Sequence, residues 1–160
     1  MDEVSPEISE IVSVGDDRFD PKAYERVANA ANLIRVDLMK SDYEIKPQAW
    51  SMTVSEESFT PTFSGEPSTP SFIDQHGLLV GSYKWQAAFK KGNTKPLKLN
   101  CFYYLAWDGL DGSDSDHYTL YFRKLARFVS YPYFRATLAH MTASSGLTFP
   151  PLPSLNERMD

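Results

Sequence analysis

The sequence holds a single cysteine, Cys101, among 160 residues. One thiol excludes an internal disulfide and any multi-cysteine metal site. No stretch approaches the roughly 18 consecutive apolar residues of a membrane helix. The opening residues, MDEVSPEISEIVSVGDD, lack the basic segment and apolar core of a secretory signal. Positive charge is also short. A formal net charge of −5 argues against a general nucleic-acid binder, whose phosphate contacts need a basic surface. Catalytic signatures are missing: there is no G-x-S-x-G elbow, no glycine-rich phosphate loop and no H-E-x-x-H. His76, His117 and His140 share no ligand spacing with another His, Cys or carboxylate, and His117 and His140 read as solvated or capping residues. Cys101 alternates with Leu99 and Tyr103, the pattern of a buried thiol rather than a reactive one. Asp108, Asp111, Asp114 and Asp116 lack the twelve-residue spacing and closing glutamate of a calcium loop. The expectation is a protein without catalysis, cofactor or metal, neither bound to nucleic acid nor inserted in a membrane, in the reducing cytoplasm.

What the chain has instead is rings and apolar periodicity. Aromatics make up 14% and apolar residues 42%, enough for one domain with a real core. Residues 1–18 are acidic and serine-rich and read as a flexible arm, although Ile8, Ile11, Val12 and Val14 give it apolar positions. Asp20 and Pro21 mark an N-cap followed by an N1 proline, and a short helix with Tyr24, Val27, Ala28 and Ala31 on one side follows. From Leu33 the period becomes two. Ile34, Val36 and Leu38 lie in one phase and Met39, Tyr43 and Ile45 in the other, which predicts a bulge within one strand. Trp50, Met52 and Val54 alternate with Ser51, Thr53 and Ser55 as a second strand. Residues 57–76, rich in proline and hydroxyls, read as a long irregular connection carrying Phe59, Phe63 and Phe72.

A third strand places Leu79, Tyr83, Trp85, Ala87 and Phe89 on one face. After the turn KKGNTKP, a fourth does the same with Leu97, Leu99, Cys101, Tyr103, Leu105 and Trp107. The other face of the fourth strand begins polar and ends apolar, with Phe102, Tyr104 and Ala106, so its end is covered on both sides. The polar segment DGLDGSDSD leads to a helix starting at Ser115 or Asp116. Tyr118, Tyr121, Phe122, Leu125 and Phe128 then form a helical stripe. Pro132 predicts a break, with Ser130 capping a second helix that carries Phe134, Leu138 and Met141. Gly146 is placed to end that helix in a left-handed conformation, before an apolar, proline-rich segment from Phe149 to Leu155. The order predicts an α+β domain: a four-stranded antiparallel sheet, two long helices on one face and a short N-terminal helix.

The segment FVSYPYFRATLAHMTASSGLTFPPLPSL resembles the end of the SecB-type export chaperones. The matching residues are Tyr131, Pro132, Tyr133 and Arg135 at the start of the second helix, then Gly146, Phe149, Pro150, Pro151 and Leu152. The likeness covers about residues 30–155, and the strand region matches in pattern. The short leading helix resembles more closely the SecB-like chaperones that accompany toxin–antitoxin pairs. The resemblance implies a SecB-like domain over residues 19–155 with a short tail at 156–160. It also implies an ATP-independent holdase assembled as a homotetramer, a dimer of dimers. Clients would be unfolded polypeptides, a preprotein or an antitoxin, with the SecA motor as a further partner in the export case. The groove residues it suggests are Phe59, Phe63, Phe72, Phe102, Tyr104, Tyr133, Leu138, Met141 and Phe149. Two other readings stand beside it, a binder of small hydrophobic ligands and an adaptor for one fixed partner.

Overall fold

The computed structural model describes residues 19–50, 60–147, 152 and 155. Helix α1 (Pro21–Ala30) comes first. Asp20 caps it by accepting the Lys22 N–H at 2.9 Å, and Pro21 sits in the first turn, where its missing amide hydrogen is harmless. Strand β1 (Asn32–Ile45) pairs antiparallel with β5 (Thr94–Asp108). The register slips between Leu33 and Arg35 and again between Leu38 and Lys40. These irregularities are the physical form of the phase change in the sequence, because an extra residue reverses which neighbours face the core.

Strand β4 (Leu78–Lys91) turns at Gly92 into β5, and the two form the central hairpin. On the other side of β4 lie β2 (Thr60–Pro67) and β3 (Ser71–Ile73), both antiparallel to it. The sheet therefore has five strands in the order β1-β5-β4-β2, with β3 also paired to β4. A 3-10 turn at Ser115–His117 introduces the long helix α2 (Tyr118–Ser144), which packs over one face. The architecture is α+β with an antiparallel sheet, as the order of elements predicts.

Three expectations differ from this structure. The connection read as irregular forms β2 and β3, so the strand count rises from four to five. Its prolines, Pro61 and Pro67, lie on an edge strand, which tolerates residues without an amide hydrogen. Trp50 belongs to a helical turn that begins at Gln48, not to a strand; Pro47 starts the turn, and its fixed φ suits that place. Met52 and Val54 lie outside the described residues. Finally, α2 continues through Pro132. The proline removes one backbone hydrogen bond, but packing on both sides of it holds the helix together.

That packing centres on Trp85 of β4. Its ring lies 5.1 Å from Tyr131 and 5.5 Å from Phe134, nearly parallel to the latter. Its Nε1 donates to Ser130 Oγ at 2.7 Å. Ser130 is thus not an N-cap: it is buried, and its hydroxyl donates in turn to the Ala126 carbonyl. The buried line of α2 runs through Tyr118, Tyr121, Phe122, Ala126, Ser130, Tyr131, Phe134, Leu138 and Thr142. Phe128, which the stripe included, is 43% exposed. At the other end of the sheet Phe122 lies edge-on to Trp107 and fills the space above Gly81, where a Cβ would run into its ring.

Gly146 ends α2 with φ +72°, as its position in the sequence predicts. Its N–H donates to the Ala143 carbonyl at 3.0 Å and the Leu147 N–H to the Thr142 carbonyl at 3.0 Å, a Schellman cap with Leu147 buried behind it. Nothing lies within 4 Å of a Cβ added there, so Gly146→Ala meets only backbone strain. The expected loss is about 1 kcal/mol, read from the urea midpoint; an unchanged midpoint would contradict this account of the cap.

Candidate functional site

The aromatic residues singled out from the sequence fall on three surfaces. On the helix-covered face, Phe63 pairs opposite Ala87 and Phe72 opposite Leu79. Both are half-buried against α2, with Phe63 5.7 Å from Tyr131 and Phe72 4.9 Å from Tyr118 between ring centres. They wall the β2–β3 side of the helix. Leu138 is buried in the core beneath the helix, Met141 is half-buried and Tyr133 is 52% exposed. Of the motif residues, Tyr131 is buried, Pro132 exposed and Arg135 half-buried.

Phe102 and Tyr104 lie on the opposite face of the sheet. They share it with Lys84 and Ser82 of β4 and with Lys40 and Asp37 of β1, by register. Lys40 and Lys84 hold their ammonium groups 5.9 Å and 5.5 Å from the centre of the Phe102 ring. This pair is therefore separated by the sheet from Phe63, Phe72, Tyr133, Leu138 and Met141. Phe59, Phe149, Pro150 and Pro151 lie outside the described residues.

The third surface is at the C-terminal end of α2. Trp50 Nε1 donates to the Ser145 carbonyl at 3.0 Å, and Tyr43 OH and Ser145 Oγ are 2.8 Å apart. Ala49, Leu147 and Leu152 are buried members of the core, and Leu155 packs against that core. The apolar segment after Gly146 thus reaches the core at Leu152. Trp50 contributes a ring that is 45% exposed beside this end.

The outer edge of β1, which pairs with no further strand among the described residues, was not singled out from the sequence. Leu33, Ile34, Leu38 and Met39 are all exposed, Met39 by 68%. They cluster at the two register slips. The signal was present as apolar residues in both phases of one strand, a pattern that a one-sided strand does not need.

No three His, Cys, Asp or Glu side chains converge as a metal site among the described residues. His117 is buried and accepts the Asp20 N–H on Nε2 at 3.0 Å, so it fastens the start of α1 to the start of α2. Asp114 accepts two hydrogen bonds from Arg26, which hold its carboxyl below the usual range, and Asp111 is held low by Ser113. Burial pushes the Cys101 thiol up to about 11 and the Tyr103 hydroxyl up to about 12. Both are deprotonated more readily in the unfolded chain, from 9.0 and 10.0 respectively. The folded state then retains protons that the unfolded state releases, so stability is full below about pH 9 and falls as pH rises through about 11. Folded protein at pH 8 is expected to leave a thiol reagent unreacted until urea is added. Rapid labelling without urea would contradict the burial of Cys101.

No family model matches the sequence, and no curated protein matches it closely. Among solved structures, the fold is similar to a SecB-like chaperone of Mycobacterium tuberculosis in complex with a ChAD peptide from the HigA1 antitoxin. The TM-score is 0.67 at 16% identity, over 86% of this chain and 99% of that one. The chain has a SecB-like fold. Among the described residues no helix is long and apolar enough to cross a membrane.

Proposed function

We propose that this protein is an ATP-independent holdase that binds unfolded or non-native polypeptides on apolar surface and carries out no catalysis. The observation that carries the reading is the amount of large apolar surface left uncovered on a SecB-like fold, including Trp50, Phe128, Tyr133 and the β1 edge. Exposed apolar side chains grouped on one element, as on β1, mark an interaction surface. An extended client offers backbone hydrogen bonds and alternating side chains, which suits a surface of rings and methionine that repacks around many sequences. The client surface we assign runs along Phe63 and Phe72, past Tyr133 and Met141, towards Trp50 at the end of α2. The peptide-bound neighbour supports a polypeptide client, and the toxin–antitoxin setting is favoured over export through SecA.

Self-association belongs to the same proposal. The outer backbone edge of β1 and its four exposed apolar residues form the seam through which copies pair into dimers, two of which complete a homotetramer. The deciding experiment combines sedimentation with aggregation of a chemically unfolded client at 25 °C, without nucleotide. A tetramer that suppresses aggregation at stoichiometric concentration supports the reading. A monomer that leaves the aggregation curve unchanged overturns it. An antitoxin and a preprotein offered as competing clients separate the two cellular roles.

A further inference from the structure

Residues 75–107 hold five lysines and no arginine, aspartate or glutamate, in a chain whose net charge is −5. They form most of the β4–β5 hairpin, so the fold gathers this positive charge in one place. Three of the lysines, Lys90, Lys95 and Lys98, line a depression of about 220 Å³. It opens on the face of the sheet away from α2, and the register explains its shape. Ala88 of β4 stands between Thr62 of β2 and Lys98 of β5, with Gln86 and Lys90 next along the same face of β4. A methyl group ringed by longer side chains makes a floor lower than its rim. Ala87 and Phe89, one step out of phase, are buried in the core.

The polar groups of this depression are not engaged with one another or with their neighbours. The carboxylates nearest by register belong to β1, and lysines of β1 itself accompany them. Glu44, opposite Lys98, lies 4.0 Å from Lys46, and Asp42, opposite Asn100, lies 3.2 Å from Lys40. Among the described residues Lys90, Lys95 and Lys98 make no ion pair, and the side chains of Ser64, Gln86 and Asn100 make no hydrogen bond. Like charges brought to one rim repel each other. An anion held between them relieves that repulsion and takes up the amide donors as well.

We propose that this depression binds a short inorganic polyphosphate chain. Ammonium groups act as point charges towards phosphate oxygens, whereas a carboxylate is matched best by the planar fork of arginine, which the hairpin lacks. Linked phosphates carry several charges and many acceptor oxygens, enough for three lysines and the amides of Gln86 and Asn100. The space is roughly seven times the ~30 Å³ that one water takes up in the liquid, room for a chain of phosphoryl groups and not only for one. A nucleotide is disfavoured because, among the described residues, no ring opens into the depression for a base to stack on. Phe63 packs against Tyr131 on the other face, and Phe102 lies farther along β5 beside Lys40 and Lys84. These lysines belong neither to the client surface nor to the β1 seam, so the site stands whether or not the chaperone reading does.

The test is isothermal titration calorimetry of the full chain with tripolyphosphate at neutral pH and ~0.05 M salt, where screening is moderate. Saturable binding to each chain is expected. Lys90→Gln with Lys98→Gln should weaken it by about 10-fold or more. Ala88→Leu keeps every charge but fills the floor, and should also weaken it about 10-fold. Lys40→Gln with Lys84→Gln removes two charges from the same face outside the depression, and should change the affinity by less than about 2-fold. Circular dichroism checks that each variant is folded. Absence of saturable heat at ~1 mM tripolyphosphate, an affinity weaker than that of most phosphate sites of use, overturns the proposal. So does an unchanged affinity in Ala88→Leu, or an equal loss in the Lys40 and Lys84 variant, since either outcome means that charge alone attracts the anion. Citrate or a short glutamate peptide binding as tightly as tripolyphosphate overturns the phosphate assignment, and ATP binding more tightly assigns the site to a nucleotide instead.

Discussion

Replacing Trp85 with alanine is expected to remove about 3–5 kcal/mol of stability, the usual loss for a large buried aromatic. A domain of this size has roughly 5–15 kcal/mol in total, so the loss is a large share of the whole and the unfolding midpoint should fall well below that of the parent. The reason is positional as much as volumetric. Trp85 is the side chain against which α2 stays continuous across Pro132: Tyr131 and Phe134 flank its ring, and Ser130 accepts its N–H. Removing it leaves a cavity beneath the one helical turn that already lacks a backbone hydrogen bond. Ser130→Ala isolates the polar part of the effect. It leaves a buried indole N–H without its acceptor, for an expected loss of about 1–3 kcal/mol. Urea unfolding followed by far-ultraviolet circular dichroism reads both. Equal losses for the two variants would contradict the view that ring packing is the larger contribution.

The second large effect concerns assembly. Ile34→Glu combined with Met39→Glu is expected to convert the proposed tetramer to smaller species. Both side chains are exposed in the single chain, so the folded protomer should lose little stability. Two carboxylates brought into an apolar seam, and repeated by symmetry, would each have to shed water without a partner. Sedimentation should show the species shift, and the circular dichroism spectrum should stay unchanged. A double variant that still sediments as the parent places the seam elsewhere. If client holding is lost together with assembly, the groove is built from more than one copy.

Much of this fold is legible in the amino-acid order. The β4–β5 hairpin reads directly because each strand alternates cleanly, from Leu79 to Phe89 and from Leu97 to Trp107, around one turn. The bulged β1 also reads, because Leu38 and Met39 break the alternation where the register slips. What was hidden is tertiary. Phe63 and Phe72 look like loop residues until β4 supplies the edge that Thr60–Pro67 and Ser71–Ile73 pair with. Proline signals were strong locally, and at Pro132 the long-range contact with Trp85 outweighed them. The candidate site was partly legible for the same reason. An aromatic is easy to spot, but the face it occupies depends on register. Phe102 and Tyr104 are one residue out of phase with Cys101 and Tyr103, and that single step places them across the sheet from the helix.

The strand order has a kinetic consequence. β4 and β5 are joined by a tight turn, so their pairing closes a short loop. β1 must find β5 across more than fifty intervening residues, and Trp85 must wait for Ser130, 45 positions on. Loop-closure entropy therefore favours the hairpin first and the addition of β1 last. Until β1 arrives, β5 offers the nascent chain an open, largely apolar strand edge of its own. A protein proposed to shelter other chains thus passes through a state that itself needs shelter. Pulsed hydrogen exchange would record this as protection of β4 and β5 amides before those of β1.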